Sequence, residues 1–250
     1  TQFKPTIPNV TVPEKTATFN SSNNFQIRET QGSEPWCASY VEAAAINAFR
    51  KVTDTPITSA KALMQLKQPG VSDEELLKLN GGSIGDSVRV IKEKYNVGVT
   101  VEERALNFSE VKKEIDAGRI IEMDAYNIKA ETYEEKIETG HALAIVGYVT
   151  SNDGDSSKVP YYEIWNPWWS STFYIPADNS IFRLAGIDYR WTRSWYNWRQ
   201  DGLVSVNEST AKQKVASIGN PISVVEKNFI EPNPILRGKT FYSNINLKNS

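Results

Sequence analysis

Hydrophobic positions change period partway along the chain. Cys37, Tyr40, Val41, Ala44, Ala45 and Ala48 recur at helical spacing and predict a buried helix, with Pro35 setting its approach. Three shorter helices are expected next. One runs from Thr58 to about Gln68, and one opens at the capping box Ser72-Asp73-Glu74-Glu75 and stops at Gly81-Gly82. The third spans Asp86 to Tyr95, with Val88, Ile91 and Tyr95 on one side. Ser109 is the expected cap of a further helix ending at Gly118. From Arg119 the period shortens. Ile120 to Tyr126, Ala142 to Val149 and Val159 to Trp165 read as strands, with Asn152 to Ser157 as the tip of the hairpin joining the last two. A helical first half followed by an antiparallel second half predicts an α+β protein.

The ends carry weaker patterns. Residues 1–30, with Pro5, Pro8 and Pro13 and the polar run Asn20 to Asn24, read as an extended N-terminal arm with one short strand. Residues 31–200 are the expected main domain. Residues 201–250 are an extension with strand-like pieces at Leu203 to Val206, Ile222 to Val225 and Thr240 to Tyr242. The first residues lack the basic-then-apolar pattern of a secretory signal, which is compatible with a mature form whose leader was removed.

Charge narrows the partners. In 250 residues, 28 Lys and Arg face 30 Asp and Glu, so electrostatics give no reason to expect nucleic acid or an anionic membrane. No apolar run approaches the roughly 20 residues that cross a bilayer. Scarcity says more. There is one cysteine, Cys37, and one histidine, His141, too few for an internal disulfide or a structural zinc site. No metal or cofactor is expected.

Taken singly, a cysteine on an apolar helix face and a histidine on an apolar strand read as core residues; taken together, they also allow nucleophilic chemistry. Cys37 stands at the first turn of its predicted helix, where the dipole favours a thiolate. His141 opens a strand after Gly140, and Asn166 ends the next strand of the same hairpin, within reach to fix the imidazole tautomer. A thiol, an imidazole and a carboxamide can therefore converge although distant in sequence.

Three segments around these residues resemble the papain-type cysteine proteases. Gln31-Gly32-Ser33-Glu34-Pro35-Trp36-Cys37-Ala38 is similar to the active-site segment, with glutamine six residues before the nucleophile. Gly140-His141-Ala142 through Tyr148 resembles the histidine strand, and Tyr162-Glu163-Ile164-Trp165-Asn166-Pro167-Trp168 the asparagine strand. The Asn-Pro-Trp form and Asp188-Tyr189-Arg190-Trp191 bring it nearest to staphopains, the secreted papain-like proteases of staphylococci. The resemblance covers about residues 31 to 198. It implies a papain-like fold, with the Cys37 helix packed against a sheet or barrel carrying His141 and Asn166. By the same resemblance Cys37 is the nucleophile, His141 the general base and then acid, and Asn166 the residue that orients the imidazole. Gln31 serves the oxyanion hole, and Trp168 covers the His141–Asn166 bond. Asn80-Gly81-Gly82 is similar to the element that pairs with extended substrate, and Trp36 is grouped with Gly81 and Gly82 as substrate-binding. Glu34 and Pro35 depart from the cysteine and glycine of papain itself, and Trp36 stands where a small residue precedes the nucleophile there.

The implied partners are a protein or peptide substrate and a proteinaceous inhibitor, for a monomer that is secreted or at the cell surface. Three functions fit the pattern: a cysteine endopeptidase, a transglutaminase or cell-wall amidase with the same catalytic pair, and a silent binding or toxin module on the same scaffold. Other features read structurally. Trp191, Trp195 and Trp198, at helical spacing among Arg190, Arg193 and Arg199, are expected to pack on the core rather than stack bases. Asn152 to Asp155 lacks the spacing of a calcium loop, and Glu102-Glu103 and Glu134-Glu135-Lys136 read as solvated faces.

Overall fold

A computed structural model describes residues 17–81, 84–151, 160–177, 180–184 and 186–201. The expected hairpin tip, Gly82, the strand-like pieces after 202 and the proline-bearing part of the arm lie outside the described residues. The first element is β1 (Ala17–Ser21), followed by the helices α1 (Cys37–Phe49), α2 (Ala60–Lys67), α3 (Asp73–Leu76) and α4 (Ile84–Tyr95). The strand β2 (Val97–Glu102) and the helix α5 (Phe108–Asp116) lead into β3 (Ile121–Asn127), α6 (Tyr133–Thr139) and β4 (His141–Ser151). Then come β5 (Tyr161–Trp165), β6 (Thr172–Pro176), β7 (Ile181–Leu184) and β8 (Ile187–Gln200).

All pairings among the described strands are antiparallel, in the order β2-β8-β3-β4-β5-β6. The fold is α+β, with helices early and sheet late. β4 is long enough to serve three partners: β5 on one edge, and β3 and then β1 in succession on the other. Gly147 sits where β1 and β5 both approach β4, and a Cβ there would lie 2.7 Å from the Asn20 carbonyl oxygen. Only glycine fits that crossing.

The alternation of β3 and β4 divides the interior. Ala142, Ala144 and Val146 face the helical layer and pack with Val41, Ile46, Ile91, Trp195 and Trp198. Leu143 and Ile145 face the other way, into a second core with Met123, Tyr162, Ile164 and Trp191. Within the first core, α1 lies directly on β4, so the helix that starts at Cys37 packs against the strand that starts at His141. Beneath α1, Lys67 Nζ pairs with Glu42 at 2.7 Å and donates to Ser39 Oγ at 3.0 Å, all within side chains that are fully buried for the ion pair. Breaking one partner of such a pair leaves an uncompensated buried charge, which costs about 3–5 kcal/mol. This cross-link locks α2 to α1.

Several boundaries differ from expectation for local reasons. α5 is capped by Asn107, whose side chain accepts from Glu110 N–H while Glu110 reaches back, so the cap lies two residues before Ser109. α3 ends at Leu76, well before the glycines. Glu135 is not simply a solvated charge: with Thr132 it forms the capping box that starts α6. The tryptophans of the last strand give the largest departure. Trp191, Trp195 and Trp198 are buried as expected, but they lie on β8 and not on a helix. The register slips between the pairs at Asp124 and Ala125, and again between Gly98 and Thr100, where Asn197 adopts φ 55. The first slip leaves Trp191 and Trp195, four residues apart, in different cores, and the second lets Trp195 and Trp198, three apart, share one. Glu102 and Glu103 are likewise engaged, accepting from Tyr196 and Arg193 respectively.

Candidate active site

Cys37 is the first residue of α1 and is fully buried from solvent. Trp36 precedes it with no side-chain cap on the helix, and the first turn contains no acidic residue. The positive end of the α1 dipole is therefore not offset by a carboxylate within that turn, and it favours negative charge at the thiol. The Trp36 indole donates to the Leu79 carbonyl at 3.0 Å, tying the start of α1 to the segment that carries Asn80 and Gly81. Gly81 is buried; Gly82 is outside the described residues.

His141 and Asn166 are brought together by the β4–β5 pairing, which sets Ala144 opposite Trp165. Both side chains are fully buried, and His141 Nε2 lies 2.9 Å from Asn166 Oδ1. The same Oδ1 accepts from the Trp168 backbone N–H at 3.2 Å. A backbone N–H can only donate, so the carboxamide atom facing it is the oxygen. The His141 nitrogen at that oxygen must then donate as well. This fixes the neutral ring as the Nε2–H tautomer and leaves Nδ1 as the basic nitrogen.

The turn after β5 is rigid enough to keep this arrangement. Trp169 N–H donates to the Asn166 carbonyl at 2.9 Å, and the Trp165 indole donates to the Trp169 carbonyl at 2.9 Å. Trp168 lies flat on the imidazole, with centroids 4.1 Å apart and planes 19° from parallel. It thereby covers the ring and offers its π face to the imidazolium form.

Gln31 joins the cluster from the other side. Its backbone N–H donates to the Pro167 carbonyl at 2.8 Å, so the residue lies beside the Asn166-Pro167-Trp168 turn. Its side-chain nitrogen donates to the Glu34 carbonyl at 2.7 Å. The sequence identified Gln31 but not what holds it. Glu34 accepts from Gly32 N–H at 3.0 Å and from the Tyr40 hydroxyl, linking the loop to α1. Burial, followed by the bond to Glu34, pushes the Tyr40 phenol well above its ordinary range. Burial also raises the Glu29 carboxyl, partly offset by a bond from Ala60 N–H and reinforced by the charge of Glu34. The only sequence signal for this brace was the departure from papain at Glu34. Among the described residues no group of three or more His, Cys, Asp or Glu is placed to hold a metal ion.

The staphopain peptidase C47 family profile matches residues 14–198, a span that contains every one of these side chains. The chain belongs to the staphopain family, whose fold is papain-like. Among staphopain relatives, staphopain A of Staphylococcus aureus (strain Mu50) is 27% identical over 191 residues, covering 72% of this chain and 44% of that protein. An extracellular cysteine protease of Staphylococcus epidermidis is 26% identical over 190 residues, 72% of this chain and 97% of that protein. The chain thus spans less than half the length of the staphopain A relatives. A solved structure of UfSP from C. elegans aligns over 81% of this chain and 36% of that one, with a TM-score of 0.38 and 13% identity. The staphopain match extends upstream of Gln31 to residue 14, so the family region takes in β1. No helix of the described residues is long and apolar enough to cross a membrane.

Proposed function

We propose that the chain is a cysteine endopeptidase that cleaves protein substrates through a thioester on Cys37, and that it acts outside the cell. The observation that carries this reading is the shared Asn166 oxygen, which commits His141 to the tautomer whose Nδ1 accepts a proton. In the first step the Cys37 thiol gives its proton to Nδ1 and the sulfur attacks the peptide carbonyl carbon. Negative charge moves to the carbonyl oxygen, where the Cys37 N–H and the second hydrogen of Gln31 Nε2 stabilise it; one such donor is worth about 10²–10³ in rate. Collapse of the tetrahedral species breaks the C–N bond as His141 hands its proton to the leaving amine. Water, deprotonated by Nδ1, then hydrolyses the thioester and restores the thiol.

Asn166 contributes by orientation, and Trp168 by excluding water from the bond that orients the ring. Gly81, held near α1 through Leu79 and Trp36, supports a role for that segment in pairing with extended substrate. The name of the S. epidermidis relative supports the extracellular setting.

A substrate panel in reducing buffer tests the reading. Denatured casein and peptide amides are expected to be cleaved, with new amino termini appearing in step with loss of substrate. Release of ammonia from glutamine peptides, or of peptide stems from peptidoglycan, without casein cleavage would instead assign a transglutaminase or amidase. A folded protein inert toward all substrates and toward thiol-reactive peptides would leave only a binding module.

A further inference from the structure

Glu34 is the hub of the segment that joins Gln31 to the Cys37 helix. Its main-chain carbonyl accepts from Gln31 Nε2 at 2.7 Å and from Trp36 N–H at 3.0 Å. Its carboxylate Oε1 accepts from Gly32 N–H at 3.0 Å and from the Tyr40 hydroxyl. Tyr40 lies one helical turn beyond Cys37 and is 7% exposed. A Cβ on Gly32 would stand 2.9 Å from Glu34 Oε2, so the carboxylate is folded tightly onto the loop backbone. One residue therefore touches the Gln31 carboxamide with its main chain and the nucleophile's helix with its side chain.

The Gln31 carboxamide depends on this contact. Its oxygen, Oε1, is buried and makes no hydrogen bond among the described residues. Orientation of the amide thus falls to the single bond from Nε2 to the Glu34 carbonyl. That bond also places nitrogen, not oxygen, on the side of the loop facing Glu34, and leaves the second N–H to point elsewhere.

We propose that Glu34 is a positioning residue for the oxyanion hole, holding the Gln31 carboxamide against the Cys37 helix through its own carbonyl and through the Tyr40 hydroxyl. The proposal rests on the reading of Gln31 as an oxyanion donor. Removing the carboxylate detaches the loop from Tyr40 and Gly32, and the Glu34 carbonyl loses its fixed position. Gln31 then samples rotamers that point its N–H away from the developing oxyanion. Burial and the bond to Glu34 hold the Tyr40 phenol above its ordinary range, so its hydroxyl stays the donor of this bond.

A double-mutant cycle on the full chain tests this. Glu34→Ala is expected to lower kcat about 10–100-fold with little change in KM, because a transition-state donor is misplaced. Glu34→Gln, whose side-chain oxygen still accepts, is expected to stay within about threefold of the parent. Alkylation of Cys37 by iodoacetamide needs no oxyanion donor and should keep its rate in both variants. Glu34→Ala in a Gln31→Ala background should add almost nothing, since the donor is already gone. Full kcat in Glu34→Ala, or effects of the two substitutions that multiply, would overturn the proposal. Should Glu34→Ala fail to fold by circular dichroism, Tyr40→Phe removes one hydroxyl and carries the same cycle with a loss of about threefold. If the parent itself cleaves no peptide, it is the peptidase reading that fails and not the brace.

Discussion

Cys37→Ala is expected to abolish peptide hydrolysis, with kcat reduced on the order of 10⁶-fold toward the uncatalysed rate. No second thiol exists to substitute for it: Cys37 is the one cysteine in the chain. Alanine fits the site, since Cys37 is fully buried at the start of a helix whose neighbours include Ala38, Ala43 and Ala45. The expected cost in stability is therefore about 1 kcal/mol, seen as a small shift in the thermal midpoint. Loss of activity with an unchanged far-ultraviolet spectrum separates chemistry from folding. A variant that kept more than a trace of turnover would remove Cys37 from the mechanism.

The second large effect is expected at His141. Replacing it with glutamine removes both the base that takes the thiol proton and the acid that releases the amine, a loss on the order of 10²–10⁴-fold. The parent should show a bell-shaped dependence of kcat/KM on pH, whose two limbs are macroscopic values of the thiol–imidazole pair. In His141→Gln the bell should vanish, leaving a residual rate that rises with pH as free thiolate forms. Retention of the bell at reduced height would mean that other groups produce it. Since His141 is the one histidine, no neighbouring imidazole can mask the result.

The parts of the site that were legible in the sequence share a property: each lies at a junction that local chemistry marks. Cys37 follows Pro35 at the start of an apolar helix, His141 follows Gly140 at the start of a strand, and Asn166 precedes a proline at a strand end. His141 and Asn166 meet through one hairpin, β4–β5, and the helix that starts at Cys37 packs on β4. What was not legible depends on contacts between residues that carry no pattern. The Glu34–Tyr40 bond and the buried Lys67–Glu42 pair have no signature in spacing, because loop and helix meet at an angle that the sequence does not encode locally. Trp191, Trp195 and Trp198 misled about period for a different reason. Bulges in β8 reverse its facing twice, so Trp191 is buried in one core and Trp195 with Trp198 in the other. Burial was readable from residue type; geometry was not.

The division into two cores also has a functional consequence. Ala142 and Ala144 are the small residues through which β4 meets the helical layer, while Leu143 and Ile145 anchor the same strand in the other core. His141 is thus held at the end of a strand clamped on both faces. Asn166 is held by a turn with hydrogen bonds at Trp165, Trp168 and Trp169. Positioning by rigid elements is what the general-base role proposed for His141 needs, since small misplacements of the ring lower the rate steeply.

The central claim, a covalent acyl group on Cys37, is tested most directly by rapid quenching. A peptide ester whose hydrolysis is slow is mixed with the protein, stopped in acid, and mapped by mass spectrometry after digestion. The expected result is an acyl adduct on the peptide containing Cys37, formed before steady state, absent from Cys37→Ala and much slower to form in His141→Gln. Steady turnover with Cys37 unmodified throughout, or an adduct on any other residue, would contradict it.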